Sequence, residues 1–424
     1  MNQVSSTKSD GGRFQAIIVG AGPAGAALSY LLARRGIDIV LLERQTDFAR
    51  EFRGEGLLPT GIDAIEQMGL GAELNCLQQT VVRSVEFYIL ERGPIRIASN
   101  AGEDFGIRVI SQPEMLEMLV AQAARYPSFR LERGATVRDL IYTGDRVTGV
   151  RIESPSGPHE FRGQIVIGAD GRASVLRKRA GLHEERFPQY FDLVWGKIPL
   201  PQFMDRSTVR AYLGRNHAAV AFAAADGRLQ IGWSIEKGAF GDLWSRGVEE
   251  WFAEMTEFLS PDLSAHIRAN LGAVSHPFLL NVVCDRLVRW TAPGLLLLGD
   301  AAHPMSPVGA QGINMALRDA LVAANHLCPV LGQRAEPDSV DAAASRVQAE
   351  RLLEIEVIQR VQDTLPRILF GTVWWGKALR ALALPIMSRP ALAKLAFSGL
   401  RAASGRLRAR FDYGVTEVRL DVQS

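Results

Sequence analysis

Cysteine is scarce in this chain. The three present, Cys76, Cys284 and Cys328, lie far apart and never in C-x-x-C spacing. That excludes a disulfide framework and a thiolate metal site, and it fits a reducing, cytoplasmic setting. Long apolar runs are missing too: no stretch of about 18 uncharged apolar residues occurs, so no membrane span is expected. Neither sign of charge dominates, with 48 Lys and Arg against 46 Asp and Glu and a net charge of +2. The balance gives no ground for a nucleic-acid partner. Residues 1–13 open with MNQVSSTKSDGG and lack an apolar centre. They read as a disordered leader, not a signal peptide.

What is present is organised around Phe14 to Arg44. The apolar run Ala16 to Val19 predicts a buried strand, followed by Gly20-Ala21-Gly22-Pro23-Ala24-Gly25 and a helix to about Arg35. Gly36 stops that helix, Asp38 to Leu42 predicts a second parallel strand, and Glu43 stands at its carboxyl end, 21 residues after Gly22. In such a unit Gly20 makes the tight turn and Gly22 admits a pyrophosphate, while Gly25 lets helix and strand pack closely. The helix N-terminus attracts phosphate, and Glu43 is spaced to accept hydrogen bonds from an adenosine ribose. Dinucleotide binding follows. NAD and FAD both satisfy it.

Further along, Ser111 and Glu114 flank Pro113 as a capping box for a helix starting near Gln112. Residues 129–168 alternate like a four-strand meander and end in Ile167-Gly168-Ala169-Asp170-Gly171. Residues 185–284 change character to short alternating strands. There Asp226-Gly227 predicts a two-residue hairpin turn, pairing Phe222 with Ile231 and Val220 with Trp233 on one face. The other face then pairs Ala221 with Gly232 and Ala223 with Gln230, leaving room for a ligand or for close packing. Leu295 to Leu298 predicts a buried strand returning to the first unit. It delivers Gly299-Asp300-Ala301-Ala302-His303, then Pro307, Gly309, Ala310, Gln311, Gly312, Ile313 and Asn314 at the head of a long helix.

These three pieces, in this order, resemble the single-component flavoprotein aromatic hydroxylases of the para-hydroxybenzoate hydroxylase type, over roughly residues 14–330. The resemblance implies an α/β fold: a Rossmann-like FAD-binding domain (14–184 and 285–335, with some substrate-side strands within 80–110), an inserted mainly antiparallel substrate sheet (185–284) and a C-terminal helical region (336–424). It implies FAD held by Gly20, Gly22, Ala24, Gly25, Glu43, Arg44, Arg53, Gln112, Val137, Asp170, Asp300, Pro307, Gly309, Gln311, Gly312, Ile313 and Asn314. In that resemblance Asp300 serves the ribityl hydroxyls and the N–H groups of residues 312–314 face the N1/O2 edge of the ring. The family often has glycine where Ala310 stands, and alanine resists positive φ. Arg172 is a candidate for nicotinamide phosphates, and His303 reads as structural. No catalytic base is identifiable.

The implied reaction is hydroxylation of an electron-rich aromatic or polyketide-like molecule by NADH or NADPH and O2, through a C4a-hydroperoxyflavin. A second G-x-G-x-x-G is lacking, so the nicotinamide has no domain of its own and visits transiently. Candidate pocket residues are Trp195, Arg210, Tyr212, Phe222 and Trp233. Two relatives on the same scaffold stay open, a prenyl-type alkene reductase and a flavin halogenase. The halogenase Trp-x-Trp-x-Ile-Pro stretch is here Val194-Trp195-Gly196-Lys197-Ile198-Pro199, which keeps Ile-Pro but has Val194 and Gly196 at the two expected tryptophan positions. Residues 364–411 hold nine basic and no acidic side chains, leaving −7 on the rest of the chain. This tail suits packing on its own domain or peripheral contact with an anionic membrane, the latter in an enzyme acting on lipophilic substrates or in a flavin-binding protein without turnover. Oligomeric state is not legible.

Overall fold

The computed structural model describes residues 9–49, 55–89, 92–98, 105–214, 217–275 and 277–370. Its eight-stranded sheet is built on parallel neighbours. Ser9–Val19 runs between Ile39–Glu43 and Gly157–Gly168, with Phe129–Arg133 and Leu295–Leu297 outside them, all parallel. Ile39–Glu43 is buried at every position, as a strand covered on both faces must be. Helix Pro23–Arg34 starts with proline in its first turn and buries ten consecutive residues, Ala24 to Ala33. It packs between the sheet and helices Gln112–Ala123 and Gly312–Gly332.

Two expectations change here. The first strand begins at Ser9, inside the expected leader, because Ser9 and Asp10 pair with His159 and Glu160 on the long strand Gly157–Gly168. The meander has three strands, not four: Thr136–Thr143, Arg146–Ser154 and the first half of Gly157–Gly168. Phe129–Arg133 instead extends the parallel sheet, delivered there by helix Gln112–Ala123.

The second sheet has seven strands, in the order Phe278–Leu280, Phe191–Ile198, Leu229–Glu236, Ala218–Ala223, Thr208–Leu213, Ser84–Ile89, Arg92–Ala98. Every pairing is antiparallel except that of Thr208–Leu213 with Ser84–Ile89. Helices Val248–Thr256 and Pro261–Ala269 cover one face of it.

The hairpin at Asp226-Gly227 corrects the expected register. The Ala224 N–H donates to the Arg228 carbonyl at 2.9 Å, so Ala225, Asp226 and Gly227 form a three-residue loop with Gly227 at φ 80°. A turn closed by a left-handed glycine adds one residue to a two-residue hairpin and shifts every pair by one. Phe222 therefore opposes Gln230 and Val220 opposes Gly232, while Ala219, Ala221 and Ala223 face Trp233, Ile231 and Leu229.

The long helix Gly312–Gly332 leads to a second, Pro337–Phe370, and the two pack together. The basic stretch lies outside the described residues from residue 371 onward. Among the described residues no helix is long and apolar enough to cross a membrane, and no cluster could hold a metal ion.

Candidate active site

Backbone geometry at the carboxyl ends of the parallel strands makes a cradle. Gly20 turns at φ 96°, and a Cβ there would lie 2.4 Å from the Ala169 carbonyl oxygen. A Cβ on Gly25 would lie 1.9 Å from the Gly20 carbonyl oxygen. Both must be glycine. At Gly22 a Cβ would meet nothing within 4 Å, so the helix N-terminus opens onto free space. Glu43 is buried: the Ala21 N–H donates to its Oε2 at 2.8 Å and the Gln45 N–H to its Oε1 at 3.0 Å. Val137 stands near the same strand end, where the Ala135 N–H donates to the Glu43 carbonyl. Gln112 opens its helix, whose N-cap Ser111 accepts from the Glu114 N–H at 3.4 Å. Arg44 is exposed, and Arg53 lies outside the described residues.

Across the cradle two motifs meet. Arg172 Nε donates to Asp300 Oδ2 at 3.1 Å, and its Nη1 donates to the Asn281 carbonyl. Asp170 Oδ2 accepts from the Val175 and Leu176 N–H groups, capping the next helix. Its Oδ1 is buried without a partner among the described residues, and burial raises its pKa. Ala24 lies against Gly299, 3.3 Å from where a Cβ would stand, tying the first motif to the last.

The loop from Pro307 to Gln311 keeps left-handed backbone at two positions, Gly309 at φ 76° and Ala310 at φ 52°. Alanine thus holds the geometry expected of glycine, under strain. The first helical bond runs from the Met315 N–H to the Gln311 carbonyl, so the N–H groups of Gly312, Ile313 and Asn314 precede the ladder. Space in front of Gly312 is open to 4 Å. The Asn314 side chain is committed inward, accepting from the Leu58 N–H and donating to the Ala310 carbonyl. His303 is buried against Asp319 at 2.7 Å, which also accepts from Arg351 Nε and the Gly299 N–H. It braces the loop and faces no open space, in line with its structural reading.

The five pocket candidates divide between the two faces of the seven-stranded sheet. Arg210, Tyr212 and Trp233 point at the covering helices, which corrects their assignment to a pocket. Arg210 pairs with Glu86 and Asp262, Tyr212 bonds Ser260 and stacks on Tyr88, and Trp233 stacks on Trp251. Trp195 and Phe222 share the opposite face, ring centroids 6.1 Å apart. That face is half-exposed at Ala211, Leu213, Val220 and Phe222, whereas the alternate residues are buried. It turns toward the glycine loop, because Lys197 on it reaches Glu55 at 3.1 Å, and Gly56 beside Glu55 lies against Ala310. Glu55, Lys197 and Gln230 escaped the sequence reading. The only signals were the Gly54-Glu55-Gly56 loop and the place of Lys197 between Trp195 and Ile198.

A Rossmann-type cradle joined to an apolar sheet face through a glycine loop defines a dinucleotide-dependent oxidoreductase. Residues 13–353 match the family described as "FAD binding domain". The chain is 30% identical over 414 residues to 6-methylpretetramide 4-monooxygenase of Streptomyces rimosus, covering 95% of this chain and 96% of that protein. It is 26% identical to digeranylgeranylglycerophospholipid reductase 1 of Methanopyrus kandleri, covering 84% and 91%. Its fold matches P. aeruginosa PqsL in complex with 2-aminobenzoylacetate, with a TM-score of 0.74 at 23% identity, covering 85% of this chain and 97% of that one. The chain belongs to the FAD binding domain family and is a flavoprotein oxidoreductase of the FAD-dependent monooxygenase type.

Proposed function

We propose that the protein hydroxylates an electron-rich aromatic or polyketide-like small molecule, taking electrons from NADH or NADPH and one oxygen atom from O2. The balance is substrate, O2, reduced nicotinamide and a proton in, and hydroxylated product, oxidised nicotinamide and water out. The observation that carries this reading is the half-exposed apolar sheet face opposite the glycine loop. The name of the Streptomyces rimosus relative supports the substrate class.

The cradle fits FAD: it is open at Gly22 and Gly312 and closed at Gly20 and Gly25. In this reading Gly20, Gly22, Ala24 and Gly25 hold the pyrophosphate, and Glu43, Arg44 and Val137 take the adenosine end. Gln112, Asp170 and Asp300 serve the ribityl side. Pro307, Gly309 and Gln311 would line the ring, and the N–H groups of Gly312, Ile313 and Asn314 would serve its anionic edge. Bound FAD supplies the electron transfer and oxygen activation. The protein's own work is to hold the aromatic substrate on Phe222, Val220 and Trp195, and to keep water from the reacting centre. Purified protein should be yellow, release FAD on denaturation, and oxidise NAD(P)H faster when a phenolic or polyketide-like substrate is added. Anaerobic turnover of such a substrate to a reduced product would overturn the reading in favour of alkene reduction.

A further inference from the structure

Glu55 sits where the glycine loop and the sheet face come together. On the loop side, the Gly56 carbonyl accepts from Asn314 Nδ2 at 3.4 Å, and a Cβ on Gly56 would stand 3.2 Å from the Ala310 methyl. On the sheet side, Glu55 Oε1 accepts from Lys197 Nζ at 3.1 Å, and the same Nζ donates to Asp226 Oδ2 at 2.9 Å. One cation is thus shared by two carboxylates and is not free to clamp an anionic substrate. Glu55 is 7% exposed; the Ala225 N–H stands close enough to act on its carboxylate, yet Oε2 completes no hydrogen bond of ordinary geometry among the described residues. Gln230, the cross-strand partner of Lys197, is wholly buried with both amide atoms unpartnered among the described residues. Glu55 and Gln230 both adjoin Lys197, and buried polar groups are nearly always satisfied, so an acceptor and an amide left open around one side chain ask for a ligand that brings its own polar atoms.

We propose that Glu55 is the general base that ionises a phenolic substrate on the sheet face, that Lys197 positions its carboxylate, and that Gln230 binds a second oxygen of the same substrate. The proposal rests on the hydroxylation reading above. A phenolate ring is a far stronger carbon nucleophile than a phenol, so the proton must leave before oxygen is transferred. The phenol O–H bond breaks, its electron pair stays on oxygen, and the proton bonds to Glu55 Oε2. After one oxygen atom from O2 has reached the ring, the ketone oxygen takes its proton back from Glu55 while the substituted carbon releases its own to water. Burial raises the Glu55 carboxyl against the pull of Lys197, moving it toward the range where a base works near neutrality. The charged groups facing it are Lys197 from its strand and Asp226 from the hairpin loop, with Arg228 behind Asp226.

The test uses the FAD-loaded full chain and its Glu55→Gln variant. With ordinary phenols the variant should hydroxylate about 10²-fold more slowly, at unchanged flavin content. Its rate should approach wild type with polyfluorinated phenols already ionised at the assay pH. Without turnover, affinity of the oxidised enzyme for an unreactive phenol, read by flavin fluorescence, should fall with acid in wild type and stay flat in the variant. Lys197→Met should move the acid limb of the wild-type profile to higher pH, because loss of the ammonium makes Glu55 harder to ionise. An equal loss on ionised and un-ionised phenols, or an acid limb unmoved by Lys197→Met, would overturn the assignment. Wild-type protein that forms no hydroxylated product would defeat the hydroxylation reading instead, and the binding titration would still report on Glu55.

Discussion

Arg172 Nε and Asp300 Oδ2 stand 3.1 Å apart, joining the Asp170-Gly171 turn to the Gly299-Asp300 turn across the cradle. Arg172 is also held by the Asn281 carbonyl, so its guanidinium is already engaged. An arginine fixed in this way is expected to steady Asp300, with no part in choosing between NADH and NADPH in the proposed reaction. Arg172→Ala is expected to weaken FAD binding by about tenfold, since a lost charge-assisted hydrogen bond is worth roughly 1.5 kcal/mol. The ratio of NADPH to NADH efficiency should stay within about twofold of wild type, below the effect of any lost phosphate contact. Titration of apoprotein with FAD and steady-state kinetics with both nicotinamides check the two parts.

Asp319 predicts an acid limb in stability. Burial alone would raise its carboxyl, but His303 and Arg351 overcome that and hold it at about 2, against 3.8 for a free aspartate. A folded value below the unfolded one means stability present above pH about 4 and lost as pH falls toward 2. Asp319→Asn removes the charge beneath the wholly buried Arg351 and should cost about 3 kcal/mol or more. Denaturant unfolding of both proteins between pH 2 and 6 should show the acid limb in wild type and its weakening in the variant.

Ala310 at φ 52° carries strain that glycine would relieve. Left-handed backbone costs a non-glycine residue about 1–2 kcal/mol, and the entropy of an added glycine returns roughly 0.5–1. Ala310→Gly should therefore stabilise by up to about 1 kcal/mol, measurable by thermal unfolding of the apoprotein.

Phe222 and Trp233 come from neighbouring strands of one sheet yet should behave oppositely. Trp233 is buried among Trp251 and Phe258, so Trp233→Ala is expected to cost about 3–5 kcal/mol. Phe222 lies on the half-exposed face, so Phe222→Ala should cost about 1 kcal/mol or less and chiefly raise the substrate KM. Unfolding curves and saturation kinetics on the two variants separate the roles.

The motif-bearing part of the fold was legible in sequence for a physical reason. Gly20 and Gly25 are positions where close backbone leaves no room for another residue, and they fix the spacing of the strand, turn and helix around them. The sheet face was not legible, because it depends on parity. One added loop residue at Ala225 exchanged the faces of the hairpin and carried Trp233 into the helix layer. Arg210 and Tyr212 show the same limit: polar groups on a strand look like pocket residues until Glu86, Ser260 and Asp262 arrive from distant segments to satisfy them. Glu55 showed only as the middle of a Gly-Glu-Gly loop, and Gln230 gave no local pattern. Their interest lies in partners they lack, which only a folded chain reveals.

The most direct measurement of the central claim is oxygen uptake set against product formed, with purified FAD-loaded protein, NAD(P)H and a phenolic or polyketide-like substrate. Close to one hydroxylated product is expected for each O2 and each nicotinamide consumed. Product formed without oxygen, or a protein that neither contains nor takes up FAD, would contradict it.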